Sequence, residues 1–413
     1  MSPTFVTVGA GQTAAVAART LRRRGFDGRI VLIGDEAHRP YQRPGLSKEF
    51  LAGTEPAAAL AILRDDWIAD NDIEIRTGTV VHRVDPATRT VELGDGTALA
   101  ADAVLFATGG RPRMLDVPGP RPELVHYVRT LDDAQRLRSV LTPGARLAVV
   151  GAGFIGLEIA ATATTLGVDV TVVEAAPVPL AGVLGAEMGE QCARLHRDRG
   201  VRLHTGVPVA AVRTTNTGVV VETSSGTTVE ADAVMVGIGI VPEVTAARAS
   251  GLAVDDGIVV DAAGQTSVPG VFAAGDVARR FSTRAGRHVR MEHFDNANKQ
   301  GAAVANAMIG RDAVSDEAGW FWSDQYEHNL QLVGVAAARH VIRGSVADRE
   351  FAAFYLDGDV VTGAFAVDRG DDVMVARELL GRAVDPAVLA DEDTDLWDLV
   401  GDELAGLDEE VAR

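Results

Sequence analysis

Two short stretches hold the residue types that binding a dinucleotide requires. Gly9-Ala-Gly11, with Thr13 and Ala14, follows an apolar run at 5–8. Gly151-Ala-Gly153, with Ile155 and Gly156, follows another at 147–150. In such a pattern the first glycine permits a tight turn and the second lets the backbone approach a pyrophosphate. The third position must be small so that helix and strand can pack. Free backbone N–H groups at the positive end of the next helix then face the phosphates. An acid follows each stretch, Asp35 and Glu36 after the first and Glu174 after the second. A carboxylate there accepts hydrogen bonds from ribose hydroxyls. One glycine motif is a weak signal; two, each framed by strand, helix and acid, are a strong one.

The elements that must position these residues repeat in the same order. Residues 13–24 read as a helix and 28–34 as a strand; in the second copy the helix runs to about 166 and the strand over 169–173. Each copy is a βαβ unit. The strand ending in Ala107-Thr108-Gly109-Gly110 has a counterpart ending in Gly237-Ile-Gly239, and proline-rich 111–122 reads as a crossover. Strand 271–274 runs into Gly275-Asp276, with Asp276 expected to cap a helix start. The first domain is therefore expected to be interrupted by the second and resumed. Strand-like 331–335 and 351–356 suggest a further small domain. The expected boundaries are 1–112, 113–240, 241–319 and 320–413. The expected fold class is α/β, with two Rossmann-like dinucleotide-binding domains whose order resembles the glutathione reductase-like arrangement, and a small C-terminal α/β domain.

Composition narrows the function. A net charge of -19 over 413 residues argues against nucleic acid as a partner. Ten acidic residues against one basic in 391–413 read as a solvated acidic face. Local basic clusters stand out against this: Arg22 to Arg24; Arg279, Arg280, Arg284, Arg287 and Arg290; and Arg339 with Arg343. The apolar stretch 147–170 contains Glu158 and four glycines, so it reads as strand, turn, helix and strand, with no membrane span expected. With residues 5–8 already a strand, no targeting segment is expected and the location reads as cytoplasmic. The single Cys192 excludes an intrachain disulfide and a multi-cysteine metal site, and no metal is expected.

Further motifs stand in a fixed order. They are Arg39-Pro-Tyr-Gln-Arg43-Pro-Gly-Leu-Ser47-Lys48, Ala107-Thr-Gly-Gly-Arg-Pro112, Tyr127-Val-Arg129-Thr-Leu-Asp-Asp-Ala134, Thr266-Ser-Val-Pro-Gly-Val-Phe-Ala-Ala-Gly275-Asp276, Glu292-His-Phe-Asp-Asn296-Ala and Trp320-Phe-Trp322-Ser-Asp324-Gln325-Tyr326. With them the whole chain resembles the FAD-dependent, NADH-linked ferredoxin reductases that serve Rieske oxygenases and bacterial haem monooxygenases. The resemblance implies FAD on Gly9, Gly11, Thr13 and Ala14, with Asp35 or Glu36 at its ribose. Arg43, Val81, Ala107, Thr108, Gly109, Arg129, Asp276 and Phe294 match further FAD-contacting positions, and Trp320 or Trp322 would lie near the flavin ring. It implies NADH on Gly151, Gly153, Ile155 and Gly156, with Glu174 at the ribose; Gly239 is a further cofactor-contacting position. Glu174 would oppose the 2'-phosphate of NADPH by up to about 4 kcal/mol at an effective dielectric of 20. No arginine follows it, since Ala175 and Ala176 come next.

By the same resemblance Lys48 lies beside flavin N5 and stabilises the charge of reduced flavin, while Glu158 lies by the nicotinamide and helps orient it and Lys48. Electrons then leave singly to an iron–sulfur ferredoxin. Disulfide reductases and thiol-dependent peroxidases of this architecture need cysteines near the flavin, which this chain lacks. Two positions depart from the family pattern. Gly45 replaces a proline and is expected to loosen the loop that presents Lys48. Gly182, in Leu180-Ala-Gly-Val183, replaces an arginine and is expected to weaken NADH binding. Other readings on the same fold are an NADH oxidase, a rubredoxin, quinone or monodehydroascorbate reductase, and a flavin-containing assembly or signalling factor resembling the apoptosis-inducing factors.

Overall fold

The structure, a computed structural model, describes residues 2–117, 122–216, 218–312 and 316–401. The chain divides into two compact units. The first gathers Met1–Arg113, Arg129–Ala134 and Gly239–Gly319; the second gathers Met114–Val128, Gln135–Ile238 and Trp320–Arg413. Of the acidic segment 391–413, residues 402–413 lie outside the described residues.

The first unit is built on a parallel five-stranded sheet. Its order is Val271–Ala273, Ala103–Phe106, Thr4–Val8, Arg29–Ile33 and Ile73–Arg76. Side chains alternate across a strand, so one sequence must satisfy two faces. Phe5, Ile30, Leu32 and Leu105 face the buried side of helix Gln12–Arg23, with Ala14, Ala17, Ala18 and Leu21. Val6, Val8, Val31, Ile33, Val104 and Phe106 fill the opposite core. That second core is completed by the antiparallel sheet Val81–Asp85, Thr90–Leu93 and Ala98–Ala100. Burial on both faces explains why these strands read as unbroken apolar runs.

The second unit repeats the plan. Its parallel sheet runs Arg202–His204, Asp169–Val173, Arg146–Val150, Ala233–Val236 and Val125–His126. The antiparallel sheet Val209–Thr214, Val219–Thr223 and Thr228–Ala231 closes a valine-rich core below it. The remaining segment forms an antiparallel sheet, in order Trp320–Gln325, His328–Gly334, Val360–Val367, Glu350–Asp357 and Arg339–Ser345, backed by helix Gly370–Leu379. Strand Trp320–Gln325 packs on helix Phe154–Thr165, with Phe321 edge-on to Phe154 at 4.0 Å between ring centroids. That cover explains why this helix is apolar nearly all round. No helix among the described residues is long and apolar enough to cross a membrane.

Candidate functional site

Each glycine turn is fixed by close backbone approach. Gly9 holds φ at +103°, and a Cβ there would lie 2.3 Å from Ala107 O. Gly151 repeats this with φ +99° and 2.4 Å to Gly237 O. At the third position the two copies differ. Ala14 is fully buried, whereas a Cβ on Gly156 would stand 2.1 Å from Gly151 O, so only glycine lets that helix approach. The middle glycines behave oppositely. Gly11 and Gly153 have extended backbones, and a Cβ on either meets nothing within 4 Å. No side chain caps helix Gln12–Arg23 or Phe154–Thr165. Uncapped amides at a helix start, beside space that any side chain would enter, fit a pyrophosphate in both units.

The acids differ in position between the units. Strand pairing sets Val8 opposite Ile33 and Val150 opposite Val173, so Glu174 corresponds in register to Gly34. A Cβ at Gly34 would meet Ala10 Cβ at 2.7 Å, and the acids come later, at exposed Asp35 and half-buried Glu36. Glu36 accepts from Arg43 Nη2 at 2.6 Å and from the Tyr41 hydroxyl. Tyr41 also accepts Leu131 N–H at 2.9 Å, and burial raises its pKa well above that of a free tyrosine. In the second unit Glu174 accepts Ala152 N–H at 2.6 Å and Ala176 N–H at 2.7 Å. This acid braces the glycine turn it serves.

The other predicted residues of the first unit surround its turn. Gly275, at φ +79°, comes so close to Thr13 that a Cβ would lie 2.4 Å from its Oγ1. Asp276 corrects an expectation: Gly275–Val277 is a single 3₁₀ turn, and the carboxylate accepts from Arg129 Nη2 at 2.9 Å instead of capping a helix. The helix begins at Phe294, after the N-cap His293. Thr108 Oγ1 donates to Glu243 O at 2.5 Å, and a Cβ on Gly109 would lie 3.1 Å from Arg129 Nη2. Val81 opens strand Val81–Asp85. Gly239, expected within the second domain, groups with the first unit.

Lys48 is buried and links 3₁₀ turn Pro44–Ser47 to helix Glu49–Ala52. Its N–H donates to Gly45 O at 3.2 Å and its carbonyl accepts Ala52 N–H at 2.8 Å. Gly45 does not loosen this loop. It is buried, and a Cβ would meet Leu60 Cδ2 at 2.6 Å, so the missing side chain makes room for Leu60.

In the second unit Ile155 is 45% exposed at the helix start, and Gly182 is exposed with open space around a would-be Cβ. Glu158 is buried and accepts from Ser323 Oγ at 2.6 Å. Trp320 and Trp322 stack at 5.3 Å on the other face of their strand. Trp322 Nε1 donates to Asp324 Oδ2 at 3.2 Å. Ser323, Gln325 and His196 are not among the residues expected at the site; Ser323 and Gln325 lie in the Trp320–Tyr326 motif with no role assigned there, and only burial singles out His196.

The basic clusters largely resolve into internal pairs. Arg22 donates to the carbonyls of Phe26, Gly28 and Asn71 at 2.7 to 2.8 Å. Arg279 pairs with Asp255, Arg280 with Asp316, and Arg290 with Asp256 and Glu292. Arg339 holds Asp359, and Arg343 holds carbonyls of Asp391 and Thr394. Arg284 and Arg287 stay exposed. Cys192 is buried, and desolvation pushes its thiol up to about 12.

Known proteins match this chain over most of its length. Residues 3–301 match the pyridine nucleotide-disulphide oxidoreductase model and residues 320–400 the reductase C-terminal model. The ferredoxin–NAD(+) reductase component of the anthranilate 1,2-dioxygenase system of Burkholderia cepacia is 42% identical, over 94% of this chain and 97% of its own. Rhodocoxin reductase of Rhodococcus erythropolis is 41% identical, over 95% of this chain and 93% of its own. The covalent putidaredoxin reductase–putidaredoxin complex superposes with a TM-score of 0.91 at 37% identity, covering 96% of this chain and 98% of that one. A ferredoxin reductase of Rhodopseudomonas palustris gives 0.92 at 38%, covering 97% and 100%. The chain belongs to the pyridine nucleotide-disulphide oxidoreductase family and is an oxidoreductase that uses FAD and NADH.

Proposed function

We propose that the chain is an NADH-dependent ferredoxin reductase, with FAD held by the first unit and NADH by the second. The observation that supports this assignment is the pair of glycine turns, each with an uncapped helix start and open space at Gly11 or Gly153. The chemistry that FAD would supply when bound is acceptance of hydride from NADH and release of single electrons to an iron–sulfur protein. Two of the relatives named above, from Burkholderia cepacia and Rhodopseudomonas palustris, are ferredoxin reductases by name, which supports a ferredoxin as the acceptor.

The residues divide the remaining work. In the first unit the turn at Gly9 to Ala14 takes the FAD pyrophosphate, and Asp35 or Glu36 takes the adenosine ribose. The Arg43–Glu36–Tyr41 cluster and the Arg129–Asp276 pair fix the polar groups around that cofactor. Buried Lys48 places a cation for the negative charge of reduced flavin. In the second unit the turn at Gly151 to Gly156 takes the NADH pyrophosphate, Glu174 takes the ribose, and Glu158 serves the nicotinamide side. Glu174 also selects against the 2'-phosphate of NADPH, at up to about 4 kcal/mol. Arg284 and Arg287 remain as exposed cations for an acidic ferredoxin. The assay is NADH-driven cytochrome c reduction with and without a two-iron ferredoxin. Strong dependence on the ferredoxin is expected; equal rates without it would favour the NADH oxidase or quinone reductase reading.

A further inference from the structure

A line of buried polar groups runs through the second unit and ends on Glu158. Ser323 Oγ lies 2.6 Å from Glu158 Oε1, and Gln325 Nε2 lies 3.0 Å from Ser323 Oγ. Gln325 Oε1 lies 2.9 Å from His196 Nε2, and His196 Nδ1 lies 3.0 Å from the Tyr326 hydroxyl. Ser323, Gln325 and His196 are completely buried and Glu158 nearly so. Three different elements supply them: helix Phe154–Thr165, helix Ala181–Arg197 and strand Trp320–Gln325. The strand alternates, so Phe321, Ser323 and Gln325 share one face. Phe321 meets Phe154 and Ser323 meets Glu158, four residues further along the helix. Four helical residues rise about 6 Å and two strand residues about 7 Å, so the two contacts fall in step.

With Glu158 as a carboxylate, the chemistry of each partner sets the direction of every bond. A carboxylate only accepts, so Ser323 donates its proton to Glu158. Ser323 must then accept from the Gln325 amide N–H. That leaves the Gln325 carbonyl oxygen facing His196, so His196 carries its proton on Nε2. His196 Nδ1 is therefore an acceptor, and the Tyr326 hydroxyl, which also hydrogen-bonds Thr164, donates to it. Burial holds the His196 pKa down at about 4, which keeps the ring neutral at pH 7. All four donors point the same way, and such bonds polarise one another. The far end is held by force of its surroundings. Tyr326 starts a two-residue hairpin turn with φ +58°, a region where glycine is the usual residue. Arg199 lies over its ring at 4.9 Å. A strained backbone of this kind persists only where other contacts over-determine it.

We infer that Ser323, Gln325, His196 and Tyr326 form a one-way hydrogen-bonded relay of positioning residues that holds Glu158 in one orientation for the nicotinamide. The inference rests on the proposed assignment of Glu158 to the nicotinamide side. Gln325 cannot pass a proton onward in this arrangement, so the line orients and polarises without conducting protons.

The test uses the FAD-loaded full chain and three readouts: NADH dissociation constant, rate of flavin reduction by NADH, and histidine ¹⁵N shifts. Glu158→Gln tests the underlying assignment alone. Unchanged NADH binding and flavin reduction in that variant sink the assignment and the inference with it. Given a roughly tenfold loss there, Ser323→Ala is expected to lose about three- to tenfold, and Ser323→Thr to recover most of it. Adding Ser323→Ala to Glu158→Gln should then cost nothing further, because the relay has lost its target. Full additivity of the two losses overturns the inference while leaving the assignment standing. The ¹⁵N spectrum should show His196 as the neutral Nε2–H tautomer from pH 5.5 to 8. Tyr326→Phe, which keeps the ring, should shift its Nδ1 resonance. A protonated ring or an Nδ1–H tautomer at pH 7 overturns the direction of the relay, and the inference with it.

Discussion

Alanine at Gly153 should damage nucleotide binding and nothing else. The backbone there has φ -77° and ψ 179°, which any residue adopts, and the added Cβ meets no atom within 4 Å. Stability should therefore change by less than about 0.5 kcal/mol. The methyl instead occupies the space where a pyrophosphate would approach the helix start. Losing one or two charge-assisted backbone hydrogen bonds costs about 2–4 kcal/mol, or roughly 30- to 1,000-fold in affinity. Gly151→Ala makes the contrast. Its φ of +99° and a 2.4 Å approach to Gly237 O add backbone strain to overpacking, and about 2–5 kcal/mol should be lost from the fold. Thermal melts and anaerobic NADH titrations on both variants separate the two costs. Gly11→Ala should do to FAD retention what Gly153→Ala does to NADH. An unchanged NADH affinity in Gly153→Ala, with the fold intact, would refute the placement of NADH on this turn.

Other outcomes follow from single positions. Gly182→Arg fits without a clash and restores a cation beside the nucleotide turn, so KM for NADH should fall several-fold with kcat little changed. Cys192→Ala should keep full ferredoxin turnover, and thiol-alkylating reagents should leave the native enzyme active, since the thiol is buried and its pKa is pushed up to about 12. His196 predicts a pH effect on stability. Its folded pKa, about 4, lies below the ordinary 6.5 because of burial, only partly offset by Gln325. Between these values the unfolded chain binds a proton that the folded chain refuses. Stability should thus be full above pH 6.5 and fall by about 3 kcal/mol as the pH drops toward 4. Asp316 titrates lower still, near 2, so its loss falls outside this window. Urea midpoints at pH 7 and 4.5 should converge in His196→Gln relative to the native chain.

The glycine turns were legible because a backbone constraint shows directly in residue type. Gly9, Gly151 and Gly156 are glycine since a Cβ would collide with a carbonyl 2.1 to 2.4 Å away. The parallel strands were legible as apolar runs because both faces are buried. Pairing was not legible. The arginines at 279, 280, 290 and 339 stand out in the sequence as basic clusters, yet Asp255, Asp316, Asp256 and Asp359, which pair with them, lie outside those clusters. Charge is visible in a sequence, but its neutralisation is a tertiary fact. Gly45 misled for a related reason: its neighbour Leu60 is brought in by folding, so a residue read as freedom is a packing requirement. The His196–Gln325 contact spans 129 residues and leaves no local pattern at all.

On the proposed function, NADH delivers hydride to a bound flavin whose electrons leave through an iron–sulfur protein. Anaerobic mixing of the FAD-loaded chain with excess NADH, followed by a two-iron ferredoxin, tests it most directly. The flavin's visible absorbance should bleach at least as fast as steady-state turnover and return only when ferredoxin is added. Flavin that NADH cannot bleach, or that reoxidises equally fast in a quinone or oxygen without any ferredoxin, would contradict it.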